Sequence, residues 1–400
     1  MIKPLLSGKL QIWIQLRSAL NTDKFRDLSF GNSIWIHASS GEIEYAKALI
    51  LALKNKTPNM PIVVTYSSAS AEKLFDNIRP SVDAFVPAPW DDSHSIKRFI
   101  KKINPVCLII SRTDLWPEMI YQCSHQKIKL GLVSYFPQVS FLNRALLKSL
   151  LKKFNFISCV DEATEVRLKK MKLPQNLQIN VNGDTRFDQV FLRLAQGPKF
   201  SLTSTNNIFT FGSTWPEDEA KIEPLMAELI KNQQQLILSP HDVSETNLNR
   251  IYLWLKNKKF NFQKLSENLP HVNFHAPILL IDRIGYLADA YRFSAFAFVG
   301  GSFKSKVHSV MEPLCCGIPV LVGPHINNSP EAIKYSSTSF QNFIIPSFTS
   351  EELIANYNHL CSLNLPALKS EIIAEMIKNK GVSKPLAEFI LNNFLRKEDS

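Results

Sequence analysis

The sequence lacks the long apolar runs and the paired cysteines that mark several classes of protein. No apolar run approaches the roughly 18 residues needed to span a bilayer. Residues 10–16 are too short and interrupted for a signal-peptide core. The six cysteines include no C-x-x-C pair, which argues against a zinc site or a disulfide framework and favours reduced core cysteines in the cytosol. We therefore expect a chain that is soluble or only peripherally bound to a membrane.

The chain also lacks internal repeats and low-complexity tracts. Its 400 residues are more than a single hydrophobic core usually organises, so we expect two domains. The formal net charge of +11 suits a nucleotide, a nucleic acid or an anionic membrane, without choosing among them. No segment interleaves aromatic and basic residues as a nucleic-acid platform does, so nucleic-acid binding has no support beyond the charge.

Apolar runs that alternate with helical segments predict an α/β protein with doubly wound parallel sheets. The runs lie at residues 34–38, 61–66, 106–111, 128–134, 208–211, 235–238, 278–281, 296–299 and 320–322. Residues 191–206 are weakly patterned and are predicted to form a linker. We expect one Rossmann-like domain over residues 1–190, a second over 207–375, and a C-terminal helix over 376–400 that could pack back on the first domain.

Residues 1–30 combine five lysines and arginines with several large apolar residues. This composition fits a basic amphipathic surface that lies on anionic lipid. It fits equally an N-terminal helix packed on its own domain.

Polar residues follow the predicted strands, where ligands of open α/β sheets bind. After the first strand, Ser39, Ser40 and Gly41 present backbone N–H groups that suit an anion. Glu42 could take a proton from a sugar hydroxyl, or it could only complement its helix dipole. Ser213 and Thr214 could hold a phosphate, or one of them could cap the helix that begins near Pro216.

Residues 297–328 read as a strand, a glycine turn, a polar loop, a short helix near Ser309, a strand and a second glycine turn. This pattern predicts a nucleotide-sugar pocket. Ser309 and Glu312 match a capping box, but Glu312 could instead accept both hydroxyls of a ribose. His308, four residues before Glu312, is expected to face the same way.

Several motifs together resemble the 3-deoxy-D-manno-octulosonic acid (Kdo) transferase family over about residues 30–335. They are Trp35-Ile36-His37-Ala38 with Gly41-Glu42, Leu115-Trp116-Pro117, Asn182-Gly183-x-x-x-Phe187-Asp188, Gly212-Ser213-Thr214, Val299-Gly300-Gly301-Ser302-Phe303, His308 with Glu312-Pro313, Gly317-x-Pro319-Val320-Leu321, and Gly323-Pro324-His325-x-x-Asn328.

The resemblance implies a GT-B glycosyltransferase with two Rossmann-like domains facing a central cleft. It would transfer Kdo from CMP-Kdo to a lipid A precursor in lipopolysaccharide core biosynthesis, by an inverting displacement without a metal or other cofactor. The implied partners are CMP-Kdo, the lipid A precursor and an anionic membrane surface, with no nucleic acid. The implied location is the cytoplasmic face of the inner membrane.

The resemblance also implies roles for individual residues. Glu42 matches the catalytic base. The acceptor set is Ser39, Ser40, Gly41, Arg112, Asp114 and Trp116. The nucleotide-sugar set is Ser213, Thr214, His241, Gly300, Gly301, Ser302, Lys304, His308, Ser309, Glu312, His325 and Asn328.

The chain departs from the family pattern near the site. Ser39 and Ser40 are two residues where the family commonly has three, and Arg112 stands at a carboxylate position. Ser309 stands where asparagine is usual, and the arginine expected near His241 is missing. These departures leave open a different acceptor or nucleotide sugar, or a GT-B-shaped binding protein that has lost catalysis.

Overall fold

A computed structural model describes residues 25, 27–68, 71, 76–137, 144–203 and 207–395. Most of the N-terminal surface predicted over residues 1–30 lies outside these ranges, as do residues 204–206 of the predicted linker. The chain divides into two compact units, residues 1–189 with 379–400 and residues 190–378. Each unit is described separately.

The first unit is built on one parallel sheet, in the order β3-β2-β1-β4-β5-β6-β7. Its strands are β1 (Ser33–His37), β2 (Ile62–Tyr66), β3 (Ala84–Pro87), β4 (Pro105–Ser111), β5 (Lys129–Tyr135), β6 (Phe156–Cys159) and β7 (Gln178–Val181). The adjacent β1 residues Trp35 and Ile36 belong to different core clusters. Successive strand residues point to opposite faces, so both faces of this sheet carry a core, and the central strands are buried along nearly their whole length.

The helices of this unit are α1 (Ile43–Lys56), α2 (Ser93–Ile103), α3 (Pro117–His125), α4 (Arg144–Leu151) and α5 (Glu162–Lys169). Helix α2 begins where the Asp92 carboxylate accepts the Ser95 N–H at 2.9 Å. It ends at Asn104, whose φ of 42° leaves the helical region. Its buried side chains are three and four residues apart, so one face packs on the core and the basic face is exposed.

Helix α6 (Thr185–Ala195) runs from the first unit into the second. It covers the first part of the predicted linker, and β8 (Ser201–Thr203) covers another part. The second unit also has β9 (Ile208–Thr214), β10 (Leu236–Pro240), β11 (Phe262–Lys264), β12 (His271–Asn273), β13 (Ile278–Leu280), β14 (Ser294–Val299), β15 (Val320–Val322) and β16 (Ile344–Pro346). Its main sheet is parallel in the order β11-β13-β10-β9-β14-β15-β16, and β8 pairs with β12.

The helices of the second unit are α7 (Pro216–Lys231), α8 (Glu245–Asn257), α9 (Leu287–Ala290), α10 (Met311–Cys315), α11 (Pro330–Tyr335), α12 (Ser350–Cys361) and α13 (Leu365–Lys378). The chain then returns to the first unit as α14 (Ser383–Phe394). The carboxylate of Asp188, on α6, accepts the backbone N–H groups of Gly381 and Ser383 at 2.5 and 2.6 Å. This hydrogen bonding fixes the start of α14 on the first unit.

Each sheet has a central place where the strand order reverses. It lies between β1 and β4 in the first unit, and between β9 and β14 in the second. Connections on opposite sides of such a point leave a crevice at the carboxyl ends of the strands, which is where ligands of these folds bind. The topology therefore brings residues 39–42 to residues 112–114, and residues 213–215 to residues 300–301.

Candidate functional site

In the first unit the site is organised around Glu42. This residue ends a short 3-10 turn, Ser40–Glu42, that leads into α1. Its Oε1 accepts the backbone N–H of Thr113 at 3.2 Å and the Thr113 hydroxyl at 2.9 Å. Its Oε2 is buried and has no hydrogen-bond partner among the described residues. Burial, followed by the charge of Asp114, raises the pKa of Glu42 to about 8.

The side chain of Glu42 makes no capping hydrogen bond at the start of α1. Its carboxylate reaches instead to the segment after β4, and the alternative that Glu42 only complements its helix dipole is not tested by this geometry. A carboxyl group with one uncommitted oxygen and a raised pKa can exchange a proton near neutral pH. Its role as catalytic base stays a prediction.

Asp114 lies at the end of a chain of hydrogen bonds from inside the sheet. Its Oδ2 lies 2.9 Å from His37 Nε2 and accepts the Ser67 hydroxyl at 2.7 Å. His37 Nδ1 is 2.9 Å from Thr65 Oγ1, which itself accepts the Trp35 indole N–H at 2.8 Å. Burial opposes ionisation, but the hydrogen bonds and the His37 interaction lower the pKa of Asp114 overall. The Asp114 charge is therefore the second cause, after burial, of the raised pKa of Glu42.

The other predicted acceptor residues surround this pair in different ways. Ser39 Oγ lies 2.6 Å from Ser67 Oγ, so it belongs to the same network. Gly41 is exposed in the turn, Ser40 begins that turn, and Trp116 is the residue before the first turn of α3. All lie at the carboxyl edge of the sheet.

Arg112 has a buried side chain that points into the protein. Its guanidinium lies over the rings of Tyr45 (4.5 Å) and Phe136 (5.8 Å), and Nη1 is 3.6 Å from Asp184. Its charge lowers the pKa of Glu42, but this effect is smaller than those of burial and Asp114. The positive charge at this position therefore lowers the pKa of Glu42 through an electrostatic interaction. Acceptor binding by Arg112 stays a prediction.

In the second unit a glycine loop is held by a buried aspartate. Asp218, in the first turn of α7, accepts the backbone N–H groups of Trp215 (2.9 Å), Gly301 (2.7 Å) and Phe303 (3.0 Å). Burial, only partly offset by these hydrogen bonds, raises the pKa of Asp218. A Cβ on Gly300 would lie 2.4 Å from the Ser213 carbonyl oxygen, so only glycine permits this close approach of the two turns.

Three aromatic side chains come together beside this loop. The rings of Trp215 and His308 lie edge to edge, with an interplanar angle of 15°, and the Trp215 indole N–H donates to His308 Nε2 at 2.9 Å. The His241 ring stacks on both, with centroid distances of 4.8 and 4.1 Å. Lys304 Nζ lies 3.6 Å from the Trp215 ring centroid. We call Trp215, His241 and His308 the ring cluster.

Helix α7 begins at Pro216 as predicted, but its predicted capping residue is wrong. The capping position belongs to Trp215, and neither Ser213 nor Thr214 caps the helix. Ser213 has a φ of 55° and Thr214 is buried. They are the last two residues of β9, and their backbone lies beside Gly300. Phosphate binding at this turn stays a prediction.

The predicted capping box at Ser309 and Glu312 is also wrong. Helix α10 begins at Met311, its capping residue is Val310, and the buried Ser309 hydroxyl has no hydrogen-bond partner in the described part of the chain. His308 precedes this helix, so helical periodicity does not align it with Glu312. Glu312 is partly buried and lines a small cavity with Arg193, Asp289 and Arg292, among others.

The remaining predicted donor residues mainly hold loops together. The Ser302 hydroxyl donates to the Val299 carbonyl at 3.0 Å and accepts the Gly323 N–H at 2.7 Å. The Asn328 amide makes two hydrogen bonds with the backbone of Val307, at 3.0 and 2.9 Å. His325 is exposed. The roles of these side chains toward a ligand stay predictions.

Three residues at the two sites were not singled out from the sequence: Thr113, Trp215 and Asp218. Thr113 was adjacent to two predicted residues, but only the fold shows that it bonds Glu42. Trp215 and Asp218 looked like ordinary helix-start residues. Across the ranges that the structure describes, no three His, Cys, Asp or Glu side chains are grouped so that they could hold a metal ion.

One family model and several curated relatives are Kdo transferases. Residues 14–189 match the family model of 3-deoxy-D-manno-octulosonic-acid transferase (kdotransferase). The 3-deoxy-D-manno-octulosonic acid transferase of Haemophilus influenzae is 29% identical over 315 residues, which cover 75% of this chain and 73% of the relative. The Aquifex aeolicus protein of the same name is 26% identical over 363 residues, 90% of this chain and 94% of the relative.

Among solved structures, a putative UDP-N-acetylglucosamine 2-epimerase from Listeria monocytogenes aligns with a TM-score of 0.63 at 14% identity. The alignment covers 92% of this chain and 98% of that one. This likeness, together with the two seven-stranded parallel sheets, confirms the predicted GT-B class of two Rossmann-like domains.

Proposed function

Because the chain is a glycosyltransferase of the Kdo transferase family, we propose that it transfers Kdo from CMP-Kdo to a lipid A precursor. The family supports Kdo transfer in lipopolysaccharide biosynthesis. The donor, the acceptor and the course of the reaction are our proposal. The observation that carries it is the carboxyl of Glu42, held by Thr113 with its second oxygen uncommitted.

In the proposed reaction, ionised Glu42 takes the proton of an acceptor hydroxyl at Oε2. The hydroxyl oxygen attacks the anomeric carbon of Kdo, the bond to the CMP phosphate breaks, and the configuration inverts. A base whose pKa lies near the working pH combines sufficient ionisation with sufficient basicity. The burial of Glu42 and the nearby Asp114 charge support this role, because they raise its pKa into that range.

We propose that the second unit binds the CMP moiety at the turns of residues 213–215 and 300–301. The N–H groups of Trp215 and Gly301 are already bonded to Asp218. The dipole of the 16-residue helix α7 and the cations of Lys304 and Lys306 suit a phosphate that gains negative charge as it leaves. Glu312 is the proposed ribose ligand. We propose that the displacement needs no metal ion, because these cationic and helix-dipole contacts stabilise the leaving group.

We further propose that the enzyme works at the cytoplasmic face of the inner membrane, attached to its anionic surface. No helix in the described ranges is both long and apolar enough to cross a bilayer. Helix α2 supports surface attachment, because Lys97, Arg98 and Lys101 are exposed on it while its apolar side chains are buried.

The experiment that tests the function is CMP release from CMP-Kdo with and without a tetra-acylated lipid A precursor. We expect acceptor-dependent release that survives EDTA and falls about 100-fold or more in Glu42→Gln, since a general base commonly contributes that much. Glu44→Gln is the matched control. Glu44 lies two residues later in the first turn of α1 and pairs with Lys47, so we expect nearly unchanged release.

Unchanged release in Glu42→Gln would refute the assignment of the base. CMP binding without turnover on any lipid acceptor would refute the transfer reaction and favour a GT-B-shaped binding protein. Preference for a UDP-sugar over CMP-Kdo would refute the proposed donor.

A further inference from the structure

The ring cluster contains a hydrogen bond whose direction is fixed by chemistry. Trp215 Nε1 and His308 Nε2 are 2.9 Å apart. An indole nitrogen is a donor only, so Nε2 of His308 must be the acceptor and carry no proton. A neutral imidazole has one proton, and that proton must therefore lie on Nδ1.

The surroundings of His308 also disfavour a second proton. Burial, then the neighbouring His241 and Lys306, lowers the pKa of His308 to about 3. The cationic groups beside the cluster are Lys304 and Lys306, and His241 has a pKa that is itself lowered mainly by burial. The carboxylates nearby are Asp242, beside His241, Glu217, which is 3.8 Å from Lys304, and Asp218, which accepts the Trp215 backbone N–H. Cationic neighbours repel an imidazolium, so the ring stays neutral at physiological pH.

The other nitrogen of His308 remains available. Within the described ranges, no protein hydrogen bond is made by Nδ1 of His308. His308 follows the glycine loop, and its backbone N–H donates to the Gly300 carbonyl at 3.0 Å. The ring thus offers one N–H donor at the edge of the sheet where strand order reverses and a ligand is expected.

We propose that Trp215 is a positioning residue that locks His308 as the neutral Nδ1–H tautomer, so that Nδ1–H binds an acceptor oxygen of the nucleotide sugar. The identity of the ligand rests on the proposed function, whereas the tautomer is a property of the protein alone. An anionic ligand would draw a second proton onto a free imidazole. Trp215 opposes this, because protonation of Nε2 would break its hydrogen bond.

A neutral donor has a functional consequence. An imidazolium would hold the phosphate of the CMP product as an ion pair, whereas a neutral N–H orients the donor substrate and retains the product less strongly. Trp215 would thus keep CMP release insensitive to the protonation of His308.

The first test needs no substrate. Nitrogen-15 NMR of histidine-labelled wild-type protein, with His308 assigned by loss of its signals in His308→Gln, reports which ring nitrogen carries the proton. We expect the Nδ1–H tautomer and no titration of His308 between pH 5 and 8. An Nε2–H tautomer, or protonation near the ordinary histidine pKa of about 6.5, would overturn the proposal.

The second test uses Trp215→Phe, which keeps an aromatic ring but removes the N–H donor. We expect the Nε2–H tautomer to appear and the pKa of His308 to rise by about one unit, because one hydrogen bond to the unprotonated form is lost. With an anion bound the rise should be larger, so the CMP affinity of this variant should increase as the pH falls from about 6 toward about 4. Wild-type affinity should stay flat over the same range.

Trp254→Phe is the matched control. Trp254 lies on α8 of the same unit, and its indole N–H donates to the Glu223 carboxylate at 3.0 Å. It should leave the His308 signals unchanged. Unchanged His308 signals in Trp215→Phe, or equal changes in both variants, would overturn the proposal. If the tautomer is confirmed but CMP-Kdo yields no transfer, the proposed function fails while the role of Trp215 toward His308 stands.

Discussion

Asp218 and Gly301 are joined by a 2.7 Å hydrogen bond across 83 residues of sequence, from the Gly301 N–H to Asp218 Oδ2. Because Gly301 has a φ of +80°, the loop after β14 adopts a backbone conformation that most residues avoid. The same buried carboxylate also accepts the N–H of Phe303, two residues later in this loop, and that of Trp215, the residue before α7. The shape of the proposed nucleotide site therefore depends on a residue of the preceding α7 helix.

Asp218→Asn should lower both the stability of the second unit and its affinity for CMP. One carboxylate oxygen accepts the N–H groups of Trp215 and Gly301, and the other accepts that of Phe303. An amide can place its oxygen at only one of these positions, so at least one buried N–H group loses its acceptor. We expect the free energy of unfolding to fall by about 1–3 kcal/mol and CMP affinity to fall several-fold.

Chemical denaturation and calorimetric titration with CMP measure these two effects. Glu217→Gln is the control, because Glu217 lies in the same first turn but its side chain is 47% exposed, 3.8 Å from Lys304. It should change stability by less than about 0.5 kcal/mol. Equal effects of the two substitutions would contradict the assigned role of Asp218.

The pH dependence of transfer should report the pKa of Glu42. A base acts in its ionised form, so kcat/KM should rise with pH until the pKa of about 8 is passed. Asp114→Asn removes a negative charge that raises this pKa, so the rise should move to lower pH. Thr113→Val removes a hydroxyl hydrogen bond that lowers it, so the rise should move to higher pH, by about one unit.

Unfolding provides a check that needs no activity. The Glu42 carboxyl ionises near its ordinary value of 4.5 when unfolded and near 8 when folded. Its contribution to stability is complete below pH 4.5 and is lost as pH rises toward 8. Glu42→Gln should remove this part of the pH dependence of the free energy of unfolding. It should also raise the free energy of unfolding at pH 8 by about 1–3 kcal/mol. In the kinetic test, shifts of the kcat/KM profile in the same direction for Asp114→Asn and Thr113→Val would contradict the assignment of Glu42 as the base.

Attachment to an anionic membrane should depend on the exposed face of α2. In sedimentation with phosphatidylglycerol-containing vesicles, Lys97→Glu with Lys101→Glu should weaken binding about tenfold or more, since each basic residue near such a surface contributes about 1 kcal/mol. Added salt should weaken wild-type binding as well.

Lys169→Glu with Lys170→Glu is the control for this experiment. Both side chains are exposed at the end of α5 in the same unit, so the change in net charge is identical. We expect a much smaller effect. Equal losses in the two double variants would show that net charge alone, and not the α2 face, determines attachment.

The sequence alone determined the α/β class and most central strands. Continuous apolar runs such as residues 106–111 are buried on both faces only when helices cover both sides of the sheet. The polar residues after these runs must then meet at the carboxyl edge of the sheet. The family motifs added the GT-B class, because their order along the chain is itself specific. Boundaries were shifted by a few residues, and the short strands β6, β8, β11, β12 and β16 were missed, since strands of three or four residues carry little periodicity.

Tertiary structure decided how the candidate residues are used. Spacing could not show that the Glu42 carboxylate accepts hydrogen bonds from Thr113 rather than from its own helix. The two residues follow different strands, β1 and β4, and are 71 positions apart. Nor could it reveal the hydrogen bond between Trp215 and His308, or that Ser309 caps no helix. Local sequence sets which backbone conformations are favourable, whereas the pKa of a carboxyl and the tautomer of a histidine depend on neighbours that only the packed sheet brings within hydrogen-bond distance.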